Sequence, residues 1–407
     1  MKIAVNFENV PQDGGAYHEN ILLSDVFKNF EKDEFKILYI VSNKKVEEIL
    51  EKRGLKTIFF KKDFFFRIQN FLYKFMFFKI LLNKFKIINN FEKFVKKNKI
   101  DLLIFNNPSE MSLHSNNLMY VIVFYELQHL KYNFFPEYKS YHNFDLREIV
   151  IKNFLNNAFK ILACVEKDKT LLQKYYNAHE DKIVTQSFVS RLPLIFRKNK
   201  DDKKYEIHFQ NLKIDKSKKI LFYPAQFWPH KNHKYLIDAV EFIVSQKNIK
   251  DYQIIFCGFD KLSHLKYLKE LISEKKLNDY FIFFDYLKDE EIISIYLNSY
   301  ALVMPTFVGH YSLPLFEAFY FKLPVLFTKN LLDKDLKKFV YEIDTTNKED
   351  LLIKLDHINK NKEIINSNLN AAHEYYNQFC SIKKIEDTYK KIFNEAKYFQ
   401  NIWKKTN

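Results

Sequence analysis

The sequence predicts an α/β protein of two doubly wound, Rossmann-like domains, and three observations carry that expectation. Short apolar runs recur along the 407 residues, helical patterns separate most of them, and one charged, poorly patterned stretch interrupts the series near the middle. A chain of this length is too long for one ordinary core and fits two domains of roughly 150 to 200 residues. Two such domains leave room for a cleft between them.

The first strand candidate, Ile3-Ala4-Val5, runs into a turn with two adjacent glycines, and Ile21 to Phe30 follows with helical periodicity. Residues 36–41, 57–60, 102–105, 119–124 and 161–165 continue the strand series, with a second clear helical pattern at 146–159. The charged stretch 197–219 reads as the interdomain connection. A second βα series then starts at Ile220 to Tyr223 and continues at 253–257, 280–284, 301–304 and 324–327. The tail from Ile382 to Trp403 has terminal-helix character. The expected domains are 1–200, 201–381 and a terminal segment 382–407 that packs back towards the first. No internal repeat is present at a fixed period of 20–50 residues.

Composition narrows the function classes. A hydrophobic share of 47% and an aromatic share of 17% exclude general disorder. Cys164, Cys257 and Cys380 lie far apart with no CxxC, which suggests neither a disulfide framework nor a zinc site and fits a reducing cytoplasm. The opening residues have no apolar core of a signal peptide, and no window reaches ~18 uninterrupted apolar residues. The net charge of +15 points to an anionic partner. Residues 61–99 hold eleven Lys or Arg against Asp63 and Glu92, interleaved with ten Phe. An acidic membrane surface, nucleic acid and a solvated face all fit that segment. Arg67, Lys74, Lys79 and Lys84 do not share one helical face, and no nucleic-acid-binding module accompanies the charge.

Glycine is scarce, with five in the chain, so its positions are informative. Gly14 and Gly15 follow the first strand in "PQDGGAYHEN", and Gly309 follows the strand 301–304 in "PTFVGHYSLPLFEA". Both are strand-to-helix turns, where backbone N–H groups and the helix dipole hold phosphate. Neither matches a P-loop or a GxGxxG pattern. Residues 223–236, "YPAQFWPHKNHKYL", place Gln226, His230, Lys231, Asn232 and His233 directly behind an apolar strand, at the strand end where open α/β sheets bind ligands.

"AQFWPHKNH" followed by "ALVMPTFVGHYSLPLFEAFYFKLPVL" resembles the donor domain of the retaining GT-B glycosyltransferases of family four, glycosyltransferase group 1, in its bacterial surface-polysaccharide branch. "ELQHLKYNFFPEYKSY" is similar to an acceptor-side segment of that branch, and "QDGGAYHENILLSD" resembles its first glycine loop. The resemblance implies a GT-B fold, with two Rossmann-like domains facing across a cleft and C-terminal helices. It also implies a metal-independent hexosyltransferase-like enzyme that needs no cofactor beyond its nucleotide-sugar donor. Lys231 takes the place of the lysine at the donor diphosphate, where a flexible point charge stabilises the leaving group. Gln226 stands where an arginine is usual, a substitution that the branch with "FWPHKNH" shares. Glu317 matches the second glutamate of a paired motif, which binds the ribose hydroxyls. The position of the first glutamate holds Gly309, so contacts to the transferred sugar fall to the backbone of His310, Tyr311, Ser312 and Leu313, or to His310 itself. "FFDYLKDEEI" resembles the loop that cups the base, through Tyr286 and Leu287. His129 matches a histidine that faces the transferred sugar. Glu126 and Glu137 are acceptor-side carboxylates in the same neighbourhood.

The implied chemistry is front-face displacement, in which the leaving diphosphate accepts the acceptor proton and the protein supplies position and charge. The implied acceptor is a surface glycan or lipid-linked glycan of capsule, O-antigen or lipooligosaccharide synthesis. The implied location is the cytoplasm, at the inner face of the membrane. The chain has no HExxH or GxSxG. Two rivals stand beside this reading: a non-hydrolysing nucleotide-sugar epimerase of GT-B fold, and a non-catalytic nucleotide-sugar or glycan-binding protein.

Overall fold

Thirteen short strands, all in parallel pairs, form two separate sheets among the described residues of the computed structural model. It describes residues 1–404 apart from 33, 76, 77, 79, 80, 82–87, 140–142, 188, 200, 201, 213 and 261. Lys79 and Lys84 of the basic segment therefore lie outside the described residues.

The first unit comprises Met1–Phe134, Tyr138–Phe188 and Ile382–Asn407. Its strands are β1 (Lys2–Asn6), β2 (Lys36–Val41), β3 (Thr57–Phe59), β4 (Leu102–Phe105), β5 (Tyr120–Phe124), β6 (Lys160–Ala163) and β7 (Ile183–Thr185). They pair in the order β3-β2-β1-β4-β5-β6-β7. β1, β4 and β5 are almost wholly buried, as expected of central parallel strands covered on both faces. The helix Ile382–Lys404 completes this unit: Phe27 meets Tyr389 edge-on at 4.8 Å, and Phe30 meets Phe393 at 5.3 Å.

The second unit comprises Phe135–Glu137 and Val189–Ser381. Its strands are β8 (Lys219–Pro224), β9 (Tyr252–Cys257), β10 (Phe281–Phe284), β11 (Ala301–Met304), β12 (Val325–Thr328) and β13 (Tyr341–Ile343), in the order β10-β9-β8-β11-β12-β13. In each sheet the order reverses beside the first strand, at β1/β4 and at β8/β11. Those two switch points are where the loops on neighbouring strands diverge and leave a crevice.

Two readings change. The stretch taken as the interdomain connection contains the helix Asp202–Asn211, part of the second unit; Tyr205 and Phe209, one turn apart, are buried and give it a packing face. The boundary placed at 200/201 accordingly falls inside the second unit, whose main segment runs from Val189 to Ser381. No helix among the described residues is long and apolar enough to cross a membrane.

Candidate active site

β8 and β11 lie side by side, with Leu221 opposite Ala301 and Phe222 opposite Leu302. This pairing brings the two motif loops together at the switch point. The β8 loop forms a short 3-10 turn, Pro229–Lys231, and ends at Asn232 in the left-handed region (φ 56°). Asn tolerates that conformation better than most residues. Its side-chain Nδ2 donates to the Pro305 carbonyl at 3.1 Å, while Phe307 N–H donates to the His230 carbonyl at 2.9 Å. The two loops are thus stitched to each other by backbone and amide hydrogen bonds.

Lys231 is half-buried, its carbonyl accepting from the Tyr223 hydroxyl at 2.9 Å. A Cβ at Gly309 would lie 3.8 Å from Lys231 Nζ, and Gly309 has φ +98°. The ammonium therefore stands over a stretch of bare backbone. Any side chain at 309 would be strained by that backbone conformation, while its Cβ would meet the cation only at ordinary contact distance. His310 is buried, Tyr311 packs its ring 4.7 Å from Phe316, and Ser312 precedes the eight-residue helix that begins at Leu313 without a side-chain bond to its first turn. A fixed positive charge beside glycine backbone and a helix start suits an anionic oxygen cluster such as a phosphate.

Gln226 does not replace an arginine's charge; its amide oxygen accepts from the Trp228 indole N–H, which fixes the loop. Trp228 lies against His230, with ring centroids 6.4 Å apart and planes inclined by 27°. The His230 ring and backbone N–H both donate to Glu137, the backbone bond at 3.1 Å. Burial raises the Glu137 carboxyl, yet the hydrogen bonds from His230 outweigh it and hold the group below its ordinary range. Glu137 was expected on the acceptor side. The turn Phe135–Glu137 instead belongs to the second unit, held by the His230 bonds and by Phe135 stacking on Phe307 at 5.8 Å.

Glu317 is buried, and both its oxygens are committed inside the protein: Ser190 Oγ donates to one at 2.5 Å and the Tyr296 hydroxyl to the other at 2.6 Å. Burial pushes its pKa up. The carboxylate expected to meet ribose thus ties the helix Leu313–Tyr320 to Ser190 and to Tyr296 of the helix Asp289–Asn298. Leu287 is buried, whereas Tyr286 is 67% exposed in the loop after the edge strand β10.

Gly258 was not singled out from the sequence. A Cβ there would sit 2.1 Å from the Ala225 carbonyl oxygen and 2.8 Å from Gln226 Cα. The end of β9 can approach the β8 loop only because position 258 carries no side chain.

His233, which follows the loop, is enclosed by Tyr223, Phe227 and Phe256 at 4.9, 5.0 and 4.9 Å. Burial drives its pKa down to about 3, so it stays neutral. The unfolded chain binds a proton here from its ordinary value near 6.5 downward, and the folded chain does so only near 3. The folded state is therefore at full strength above pH ~6.5 and weakens as pH falls through this window. The variant His233→Phe keeps the aromatic packing and loses the proton. Its Tm is expected to fall less than that of the wild type between pH 6.5 and 4; parallel curves would remove His233 as the cause.

The remaining expected residues lie in the first unit. Gly14, with φ 62°, caps the helix that starts at Gly15. His129 is wholly buried: Nε2 faces Glu148 at 3.0 Å, and Glu148 also accepts from the Tyr176 hydroxyl and from Lys152 at 3.3 Å. The ring expected to face a sugar is enclosed in the core of this unit. Glu126, paired with Arg147 at 3.0 Å, lines a cavity of about 650 Å³ at the carboxyl ends of β1, β4 and β5.

Comparison with known proteins defines the class. The chain resembles a glycosyltransferase of Rickettsia africae ESF-5 (18% identity, TM-score 0.70, 97% of this chain and 98% of that one). It also resembles Anabaena Alr3699/HepE, solved in complex with UDP-glucose (13%, 0.72, 97% and 100%). A putative UDP-N-acetylglucosamine 2-epimerase of Listeria monocytogenes shares the architecture as well (15%, 0.61, 97% of each). At these identities the likeness establishes the two-sheet GT-B fold. The second unit goes further, because residues 204–370 match the family of glycosyl transferases group 1. That matched segment contains both loops of the β8/β11 site. No curated protein matches the chain.

Proposed function

We propose that the chain is a retaining, metal-independent glycosyltransferase that moves a sugar from a nucleotide diphosphate donor to a surface glycan or lipid-linked acceptor. The observation that carries this reading is the meeting of the β8 and β11 loops, with Lys231 Nζ standing over Gly309. Lys231 contacts the donor diphosphate. The backbone of Gly309 to Leu313 holds the phosphates and sugar. Leu287 and the backbone at Tyr286 cup the base, and Glu317 supports the loop from within. UDP-glucose bound to the Anabaena neighbour supports a donor of this class.

In the reaction, the bond between the anomeric carbon and the diphosphate oxygen breaks as the acceptor oxygen bonds to that carbon on the same face. The acceptor proton passes to the leaving phosphate oxygen. Lys231 stabilises the charge that grows on the diphosphate. The acceptor belongs to the first unit, where Glu126 lines the cavity, and residues 61–99 contact an acidic membrane surface at the inner face of the cytoplasmic membrane.

A thermal-shift panel of UDP-, GDP-, ADP- and dTDP-sugars with their free nucleotides tests this reading. One base at ~100 times its dissociation constant should add about 2.7 kcal/mol, a rise of a few degrees. Silence across the panel would count against donor binding. Formation of an epimeric nucleotide-sugar without nucleotide release would transfer the site to the epimerase reading.

A further inference from the structure

The helix Phe64–Tyr73 is apolar on both faces. One face is internal: Phe66 and Tyr73 are buried, with rings 4.7 Å from His114, and Phe66 meets Phe60 at 5.2 Å. The opposite face is bare. Phe64, Phe65 and Phe71 are 71%, 68% and 62% exposed, and Ile68 lies between them on the same stripe. The stripe continues past the helix, where Phe75 lies 5.2 Å from Phe71 and Phe78 lies 6.3 Å from Phe75. A contiguous row of exposed rings has a partner or is a liability.

The charge around the row selects the partner. Lys61 and Arg67 are exposed beside it, while Lys62 and Lys74 pair with Glu8 and Glu110; in sequence the segment 61–99 carries eleven Lys or Arg against two acids. A second copy of this chain would bring two equally basic faces together. An anionic bilayer instead takes the rings into its acyl boundary and the cations onto its headgroups.

The same helix walls the cavity of the first unit. Arg67 and Asn70 of this helix, with Glu8, Glu126 and Arg147, give it a polar side, and Met111, Leu146 and Val150 give it an apolar one. The geometry points to one device: Phe64, Phe65, Ile68 and Phe71 dock the first unit on an anionic membrane, and the cavity behind them takes the polar head of an acceptor anchored in that membrane. This deepens the proposed reaction and rests on it for the word acceptor.

The test is co-sedimentation of the full chain with phosphatidylcholine vesicles, with and without phosphatidylglycerol, beside the variant Phe64→Ser/Phe71→Ser. The wild type is expected to bind the anionic vesicles, less so as salt rises, and the variant to lose on the order of tenfold in partitioning. Both rings are exposed, so the variant should keep its Tm and its donor thermal shift, which separates failure of docking from failure of the donor site. Equal binding by both proteins, or no binding by the wild type, would overturn the proposal. So would a dimer in light scattering that the variant dissolves, since the row would then cover a second copy. With labelled donor and membranes of the source cells, label should enter solvent-extractable lipid; label confined to water-soluble glycan would overturn the acceptor assignment.

Discussion

Replacing Lys231 with alanine is expected to lower turnover about a hundredfold to a thousandfold, the usual effect of removing one preorganised charge-stabilising group. The side chain is half-buried on a loop, and its carbonyl, which the substitution keeps, makes the structural bond to Tyr223. Stability should therefore change by no more than about 0.5 kcal/mol. Initial rates with saturating donor and acceptor, read beside a thermal melt, check both halves. If the ammonium acts on the leaving group, the loss falls on kcat and kcat/KM alike. A loss in KM alone would make Lys231 a uniform binding contact. Unchanged turnover would remove it from the chemistry.

The second large effect is expected at Gly258. An added methyl would overlap the Ala225 carbonyl at 2.1 Å, and the atoms it meets are backbone with nowhere to rotate. Gly258→Ala must then push β9 from the β8 loop, a forced overpacking that costs about 1–3 kcal/mol. In a domain of this size, each kcal/mol lowers Tm by roughly 2–4 °C. Because Ala225 and Gln226 precede Lys231 on the same loop, donor response should fall with stability. A melt and a donor titration of the variant measure the two together. A variant with wild-type Tm would show that the loop yields freely.

The α/β class was legible because buried parallel strands are plain apolar runs, as in Leu102–Phe105 and Ala301–Met304. β7 and β13 were not, since Ile183–Thr185 and Tyr341–Ile343 are three-residue edge strands that bury little and so leave little pattern. The helix Asp202–Asn211 was hidden for a related reason: Tyr205 and Phe209 alone mark its inner face among charged residues.

At the site, the two loops could be found from their residues, but their meeting depends on the strand order β8-β11, which no local pattern encodes. Glu137 was misplaced because position in the chain implied the first unit, while Phe135 and Glu137 pack on Phe307 and His230. Gly258 carried no signal beyond being glycine, because the need for it lies in Ala225 at the end of the neighbouring strand. The exposed ring row was visible as composition. Its separation into an inner and an outer face required the helix.

The central claim is that a nucleotide diphosphate sugar binds where the β8 and β11 loops meet. Its most direct test is the nucleotide thermal-shift panel run side by side on the wild type and Lys231→Ala. The account predicts a rise of a few degrees for the wild type with one nucleoside diphosphate and its sugar, and a much smaller rise for the variant at the same concentration. Equal shifts in the two proteins would contradict it, because the diphosphate would then be bound away from Lys231.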